Sequence, residues 1–399
     1  MIFGIRFLVF RLIIFTIAAL AQGYLFLRVR NAIRSCGLSD RFKVPAIFLV
    51  GAVLLTLFLV NAYIMVTRLS WVDPPALARV GLLYPVAVWN FGSIFSALAL
   101  FLARAAGGLA RGAVRLRHSL SDRTVPAPVD YDRRRFLRVG VGSLASAPLV
   151  LSGYGAAFAS KAAGVQEVSL PFGRSLRVVQ ITDIHAGLYM TREQMRRYAD
   201  LVNDLQPDLF ALTGDFISNS MSFLPGCVEE MARVQARYGS FATLGNHEHW
   251  FGKPREIREV FHRHNIRLLD NAHQVIQTEQ GSFAVAGIDD LRTGRPDLET
   301  ALRGLDGSVP TLLLSHRPEI FPRAARRGVP LTLAGHWHGG QIKLNFLGMD
   351  VSIAHALSPY PEGLYRIHDS HLYVNRGIGT TATPIRLNAP PEVTLFHLT

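Results

Sequence analysis

Apolar residues run almost unbroken over about Phe7–Leu27, Val44–Val66 and Val80–Ala103. Each run has the roughly 20 residues that a helix needs to cross a bilayer. Arg6 and Arg11 sit in the first, and would have to snorkel or lie at the interface. A fourth, milder run covers Val139–Ser160, rich in Gly, Ala and Ser and containing Pro148. From Leu176 the pattern changes to short β-rich runs alternating with amphipathic stretches. Arg177–Thr182, Asp208–Thr213, Ser240–Leu244, Thr311–Leu314 and Leu331–Ala334 read as strands, and the stretch up to Ile288 as further strands. Thr191-Arg-Glu-Gln194 reads as a capping box opening a helix with Met195, Tyr198, Leu201, Val202 and Leu205 on one face. Helices are also expected over about Val228–Tyr238 and Pro254–His264.

Charge alters the picture. The net charge of +13 would suggest a nucleic-acid binder if it were spread over the chain. Met1 to Arg138, however, holds 18 Lys and Arg against 5 Asp, and the remainder balances at 24 of each sign. The whole excess flanks the apolar runs, where basic residues set orientation, so nucleic acid is not expected as a partner. Arg28–Lys43 carries five basic residues and Arg104–Arg138 nine arginines, whereas Thr67–Arg79 carries only Arg68 and Arg79. The first and third loops are therefore expected in the cytoplasm, and the second loop and everything after about residue 161 outside it. The two cysteines, Cys36 and Cys227, are too few for a disulfide framework or a cysteine zinc site.

The expected division is a membrane part to about residue 120, a linker over 121–165 and a soluble domain over 166–399. Ser121–Asp130 is polar and punctuated by Pro. Arg133-Arg134-Arg135-Phe136-Leu137-Arg138 resembles a twin-arginine export signal ahead of the mild fourth run, although such signals normally stand at the N-terminus. The fourth run is expected to remain as an uncleaved anchor.

Candidate chemistry follows the strands. Five times a strand ends and a potential metal-binding group comes next: Asp183-Ile-His185, Gly214-Asp215, Gly245-Asn246-His247-Glu248, Ser315-His316 and Gly335-His336-Trp337-His338. In sheets of βα units ligands bind beyond the strand ends, so the five groups could converge on one rim.

In that order the five blocks match the signature of calcineurin-like metallophosphoesterases, a resemblance covering roughly residues 175–399. Leu372–Thr381 with Pro384-Ile-Arg386 further resembles a bacterial subgroup of membrane-associated phosphodiesterases and a UDP-diacylglucosamine pyrophosphatase. An animal transmembrane protein with a metallophosphoesterase domain has a comparable layout. The resemblance implies an α/β fold, a four-layer αββα sandwich, here preceded by about four transmembrane helices. It implies two divalent ions, with Mn, Fe or Zn suited to the mixed N/O donors. One ion would take Asp183, His185, Asp215 and His338, the other Asp215, Asn246, His316 and His336. His247 would contact the phosphate and protonate or stabilise the leaving oxygen.

Glu248 would orient a histidine or be solvated, Trp337 would pack on the loop or shape the substrate mouth, and Arg376 would bind a second phosphate or pair at the surface. The block after Asp215, Phe-Ile-Ser-Asn, lacks the arginine of the protein Ser/Thr phosphatases, which argues against phosphoprotein substrates. The expected protein is a multi-pass inner-membrane phosphodiesterase or pyrophosphatase of bacteria. Its domain would lie outside the cytoplasm and its substrate would be lipid-linked. The alternative is a catalytically silent scaffold that binds a partner at the membrane.

Overall fold

The computed structural model describes the backbone of residues 2–119, 131–159 and 164–399. The expected Ser121–Asp130 linker lies outside the described residues, as do the side chains of the arginine-rich motif before Val139. The chain forms two compact units, Met1–Thr67 with Gly81–Tyr154, and Arg68–Val80 with Gly155–Thr399.

The first unit is helical, with long helices at Ile2–Ser35, Asp40–Thr67, Tyr84–Ser119 and Tyr131–Tyr154. The described chain has four helices long and apolar enough to cross a membrane, the last spanning Val139–Phe158. Gly92 brings two of them together, because a Cβ there would stand 2.7 Å from Leu149 Cδ2. Pro148 is accommodated inside the fourth helix, where its carbonyl accepts the Ser152 hydroxyl at 2.6 Å. The third helix runs well past the expected end at Ala103, as its Ala-, Leu- and Arg-rich continuation has high helix propensity.

Among the described residues the second unit holds fourteen strands. In chain order these are β1 (Gly164–Leu170), β2 (Leu176–Ile181), β3 (Leu209–Thr213), β4 (Ser240–Thr243), β5 (Ile266–Leu268), β6 (Ala272–Ile276), β7 (Phe283–Gly287), β8 (Thr311–Leu314), β9 (Leu331–Ala334), the hairpin β10 (Leu344–Phe346) and β11 (Met349–Val351), then β12 (Gly363–Ile367), β13 (Ser370–Val374) and β14 (Glu392–Leu398). One sheet has the order β1-β14-β2-β3-β4-β5 and the other β12-β13-β9-β8-β7-β6. Parallel pairing of β2, β3, β4 and β5, and of β7, β8, β9 and β13, points their C-terminal ends the same way within each sheet.

Alternate residues of the strands face two different cores. Val178, Leu209 and Phe241 of one sheet meet Val285, Leu312 and Leu333 of the other in a dry layer between the sheets. Val179, Phe210 and Ala242 face outward onto Met195, Val202, Val228 and Phe261 from the covering helices. Ala286 and Leu313 meet Ile320 and Ala324 on the far side of the second sheet. The result is the four layers expected, α, β, β, α.

The capping box at Thr191 forms as the sequence predicts, with the Gln194 N–H donating to the Thr191 hydroxyl at the start of helix Arg192–Asp204. The same helix start receives Asp73 from the Arg68–Val80 loop, whose Oδ1 accepts the Arg192 N–H at 2.9 Å. The expected helix over Val228–Tyr238 instead spans Leu224–Met231. Its continuation is drawn away because the N–H groups of Arg237 and Tyr238 bond to the carbonyls of Pro207 and Asp208, steering the chain into β4.

Candidate metal centre

Each of the five blocks leaves the C-terminal end of its strand, β2, β3, β4, β8 or β9 in turn, and all five meet. The turns are tight. Asp183, His185, Asp215, His336 and His338 all adopt positive φ, between 49° and 74°. Such left-handed backbone costs a non-glycine residue about 1 kcal/mol or more and concentrates at functional sites. The glycines of the blocks allow the close approach. A Cβ on Gly245 would overlap Asp215 Oδ1, and one on Gly335 would overlap Asp183 Oδ2 and Thr182.

Two groups of donors result. In the first, His185 Nε2 and His338 Nε2 are 3.1 Å apart, and Asp183 Oδ1 lies 3.2 Å from His338 Nε2. In the second, His336 Nδ1 and His316 Nε2 are 3.1 Å apart, and Asp215 Oδ2 lies 3.3 Å from His316 Nε2. Asp215 Oδ2 is also 3.6 Å from His185 Nε2, so a single oxygen borders both groups.

The donors fit divalent ions. Nitrogens and oxygens held about 2.1 Å from one ion stand roughly 3.0–3.4 Å from each other, which matches the contacts of His338 and His316, while His185 Nε2 stands farther off, 3.8 Å from Asp183 Oδ1 and 3.6 Å from Asp215 Oδ2. Asp183 Oδ2 accepts from the Thr182 hydroxyl and the His336 N–H, whereas its buried Oδ1 has no hydrogen-bond donor and faces the imidazoles. The His316 Nδ1 donates to the Thr213 carbonyl at 2.9 Å, which fixes the ring and turns Nε2 towards the group. Burial alone would raise the Asp215 pKa, but His316, His247 and His185 around it hold it well below the usual carboxylate range. Burial would lower His316, yet the Asp215 and Asp183 carboxylates push it up to about 10, a measure of how strongly the site attracts positive charge.

His247 occupies the edge of the site. Its backbone N–H donates to Asp215 Oδ1 at 2.9 Å and its Nδ1 to the Ser218 carbonyl at 2.6 Å, so Nε2 is left on the site side, 3.9 Å from Asp215 Oδ2. Its ring is flanked by His185, Trp250 and Phe251. Asn246 is held by Arg317, whose Nη2 donates to its Oδ1 at 3.0 Å, while Nη1 of the same guanidinium lies against His336 Nε2.

Glu248 does neither of the things expected of it. Fully buried, its carboxylate accepts the N–H groups of Asp215, Phe216, Ile217 and Gly245, and so pins the loop that presents Asp215. Burial and the nearby Asp215 push its pKa up to about 7. Glu248→Ala would strand four buried N–H groups, each worth about 1–3 kcal/mol. A loss of about 3 kcal/mol or more is therefore expected in denaturant unfolding, and an unchanged midpoint would contradict this role. Trp337 packs on His336 and donates to Glu319 at 3.0 Å, and Arg376 pairs with Glu392 at 2.6 Å.

Two neighbours, Asp289 and Asp290, escape sequence reasoning, and a third, Arg386, enters it only through the Pro384-Ile-Arg386 resemblance. Asp290 accepts from Arg317 Nε at 2.9 Å, and Asp289 holds His249 at 2.6 Å. Both follow β7 as the other acids follow their strands, which was the available signal. Arg386, fully buried, donates to the carbonyls of Arg376, Gly377 and Gly379 and lies 3.2 Å from His338 Nδ1.

Imidazoles and carboxylates gathered where two stacked sheets present their strand ends form a candidate metal centre. The model of the calcineurin-like phosphoesterase family matches residues 176–340. The chain is 31% identical over 278 residues to the metallophosphoesterase YkuE of Bacillus subtilis, covering 67% of this chain and 97% of that protein. It is also 31% identical to transmembrane proteins with metallophosphoesterase domain from Danio rerio and Bos taurus, over 61% and 68% of this chain. It spans 59% and 64% of their respective lengths. The chain belongs to the calcineurin-like metallophosphoesterase family. That membership carries metal-dependent hydrolysis of phosphate esters, and the four apolar helices carry membrane association.

Proposed function

We propose that this is a membrane-anchored phosphohydrolase using two divalent ions to cleave a phosphodiester or pyrophosphate bond of a lipid-linked substrate. The observation that carries it is Asp215 Oδ2, placed between the two donor groups at 3.3 Å from His316 and 3.6 Å from His185. One ion would be held by Asp183, His185, Asp215 and His338, the other by Asp215, Asn246, His316 and His336. When bound, such a pair supplies charge for an in-line phosphoryl displacement and lowers the pKa of water towards ~7. Arg317 keeps Asn246 and His336 in place, Glu248 keeps Asp215 in place, and His247 offers Nε2 to the leaving oxygen.

The lipid reading draws on the four apolar helices, more than an anchor needs. For sidedness we propose the bacterial inner membrane with residues 166–399 outside the cytoplasm, after a membrane part to about 120 and a linker carrying a twin-arginine-like signal. The arginine-rich loops support this, as does parity. The loop between the second and third helices folds in one unit with the soluble domain, and Asp73 caps Arg192. Two segments of a chain share a side only when an even number of crossings separates them, which supports reading the fourth helix as a span.

The test is hydrolysis of bis(p-nitrophenyl) phosphate and of lipid-linked diphosphates by the full chain, stripped by chelator and then given Mn, Fe or Zn. Activity lost on stripping and restored by a divalent ion is expected. No turnover with any of them would favour a scaffold.

A further inference from the structure

From Gly164 onward, eight large apolar side chains of the described residues are exposed, and six of them fall between Leu344 and Leu357: Leu344, Leu347, Met349, Val351, Ile353 and Leu357. They lie on the β10–β11 hairpin and on the short helix Ile353–Leu357 that follows. A two-stranded hairpin of this size has little stability of its own in water.

Its turn is made against the usual preference. Leu347 and Gly348 link the strands with φ of 50° and 80°, the pattern of a two-residue turn that favours Asn-Gly. A leucine there is strained, and it is 85% exposed. At the foot of the hairpin Lys343 is bonded to Asp350 at 3.0 Å and to Glu362 at 2.5 Å. The described side chains at the tip, Leu347 and Met349, are apolar and exposed.

The position of the hairpin indicates its occupant. Its root is the turn that carries His338, because Gly340 approaches Ser352 so closely that a Cβ would overlap it. Ile342 bridges Leu387, and the Lys343 N–H donates to the Leu387 carbonyl at 2.9 Å. The neighbouring Arg386 and Ile385 meet Gly155, where a Cβ would stand 2.6 Å from the Arg386 carbonyl oxygen. Gly155 belongs to the apolar stretch Val139–Phe158, the fourth membrane-spanning candidate. The apolar hairpin thus issues from the same corner of the unit at which the chain leaves its membrane helix.

We propose that Leu344–Val351, with Ile353 and Leu357, dips into the bilayer surface and seats the metal centre at the level of the lipid headgroups. Apolar faces of this kind insert about 5–10 Å at the headgroup boundary. The inference rests on the membrane reading above and deepens it, since a site so placed takes a phosphate that never leaves the lipid layer.

The test uses the full chain in phospholipid vesicles, in a Cys36→Ser background because Cys227 is buried. Leu347→Cys or Ile353→Cys would carry an environment-sensitive fluorophore. Glu279→Cys serves as reference, in the turn between β6 and β7 beside Gln280, which bonds to Ser175 at the opposite ends of the strands from the metal centre. Nitroxide-bearing lipids are expected to quench the labels at 347 and 353 at least about threefold more than the label at 279, as shallow insertion requires. Equal quenching at all three positions would overturn the proposal. A blue shift at 347 without quenching would also overturn it, and would assign the face to a second copy of the chain. Phosphate release is read separately in the same vesicles. Quenching without hydrolysis defeats the proposed function and leaves the hairpin standing; hydrolysis without quenching does the reverse.

Discussion

Asp215→Asn is expected to abolish hydrolysis while the domain stays folded. The carboxylate borders both sets of donors, and its neighbours hold it ionised far below the usual range. An amide oxygen keeps the shape but removes the negative charge that two cations would share. The Asp215 Oδ1 acceptor of the His247 N–H survives in the amide, so the loop should keep its conformation. The loss should exceed the ~10–100-fold typical of changes to groups that merely support a metal ligand. Metal content by elemental analysis should fall along with turnover. Wild-type turnover with full metal loading would sink the bridging role.

His247→Ala should act differently. The imidazole is tied at Nδ1 to the Ser218 carbonyl and leaves Nε2 towards the site, 3.9 Å from Asp215 Oδ2 against 3.3 Å for His316 and 3.6 Å for His185. A group that assists proton transfer to a leaving oxygen contributes about 10²–10⁴-fold, so kcat should drop by that factor with metal content unchanged. The drop should be steep for an alkyl leaving group and shallow for p-nitrophenolate, which needs little help. Ions lost together with activity would instead make His247 a ligand.

Much of this was legible because the residues concerned follow local rules. The strands ending at Thr213, Leu314 and Ala334 announce themselves as short β-rich runs, and the polar block after each is adjacent in sequence. Thr191 and Gln194 lie three residues apart, so their capping box needs no tertiary information. What escaped depends on residues far apart in the chain. The pairing of β1 with β14 joins Gly164 to Glu392 in parallel register, and nothing in either run identifies the other. Arg386 reads only as the end of the Pro384-Ile-Arg386 resemblance until four carbonyls and His338 are brought round it. Glu248 was undecidable for the same reason: three of its four N–H donors belong to the turn after β3, some thirty residues upstream.

The contact between Asp73 and Arg192 links the insertion of the chain to the soundness of its enzyme. Under the proposed topology, a molecule whose fourth helix failed to cross would hold Asp73 on one face of the membrane and the helix start it serves on the other. That molecule would lack one of the capping bonds, worth about 0.5–2 kcal/mol, at the first helix of the soluble unit.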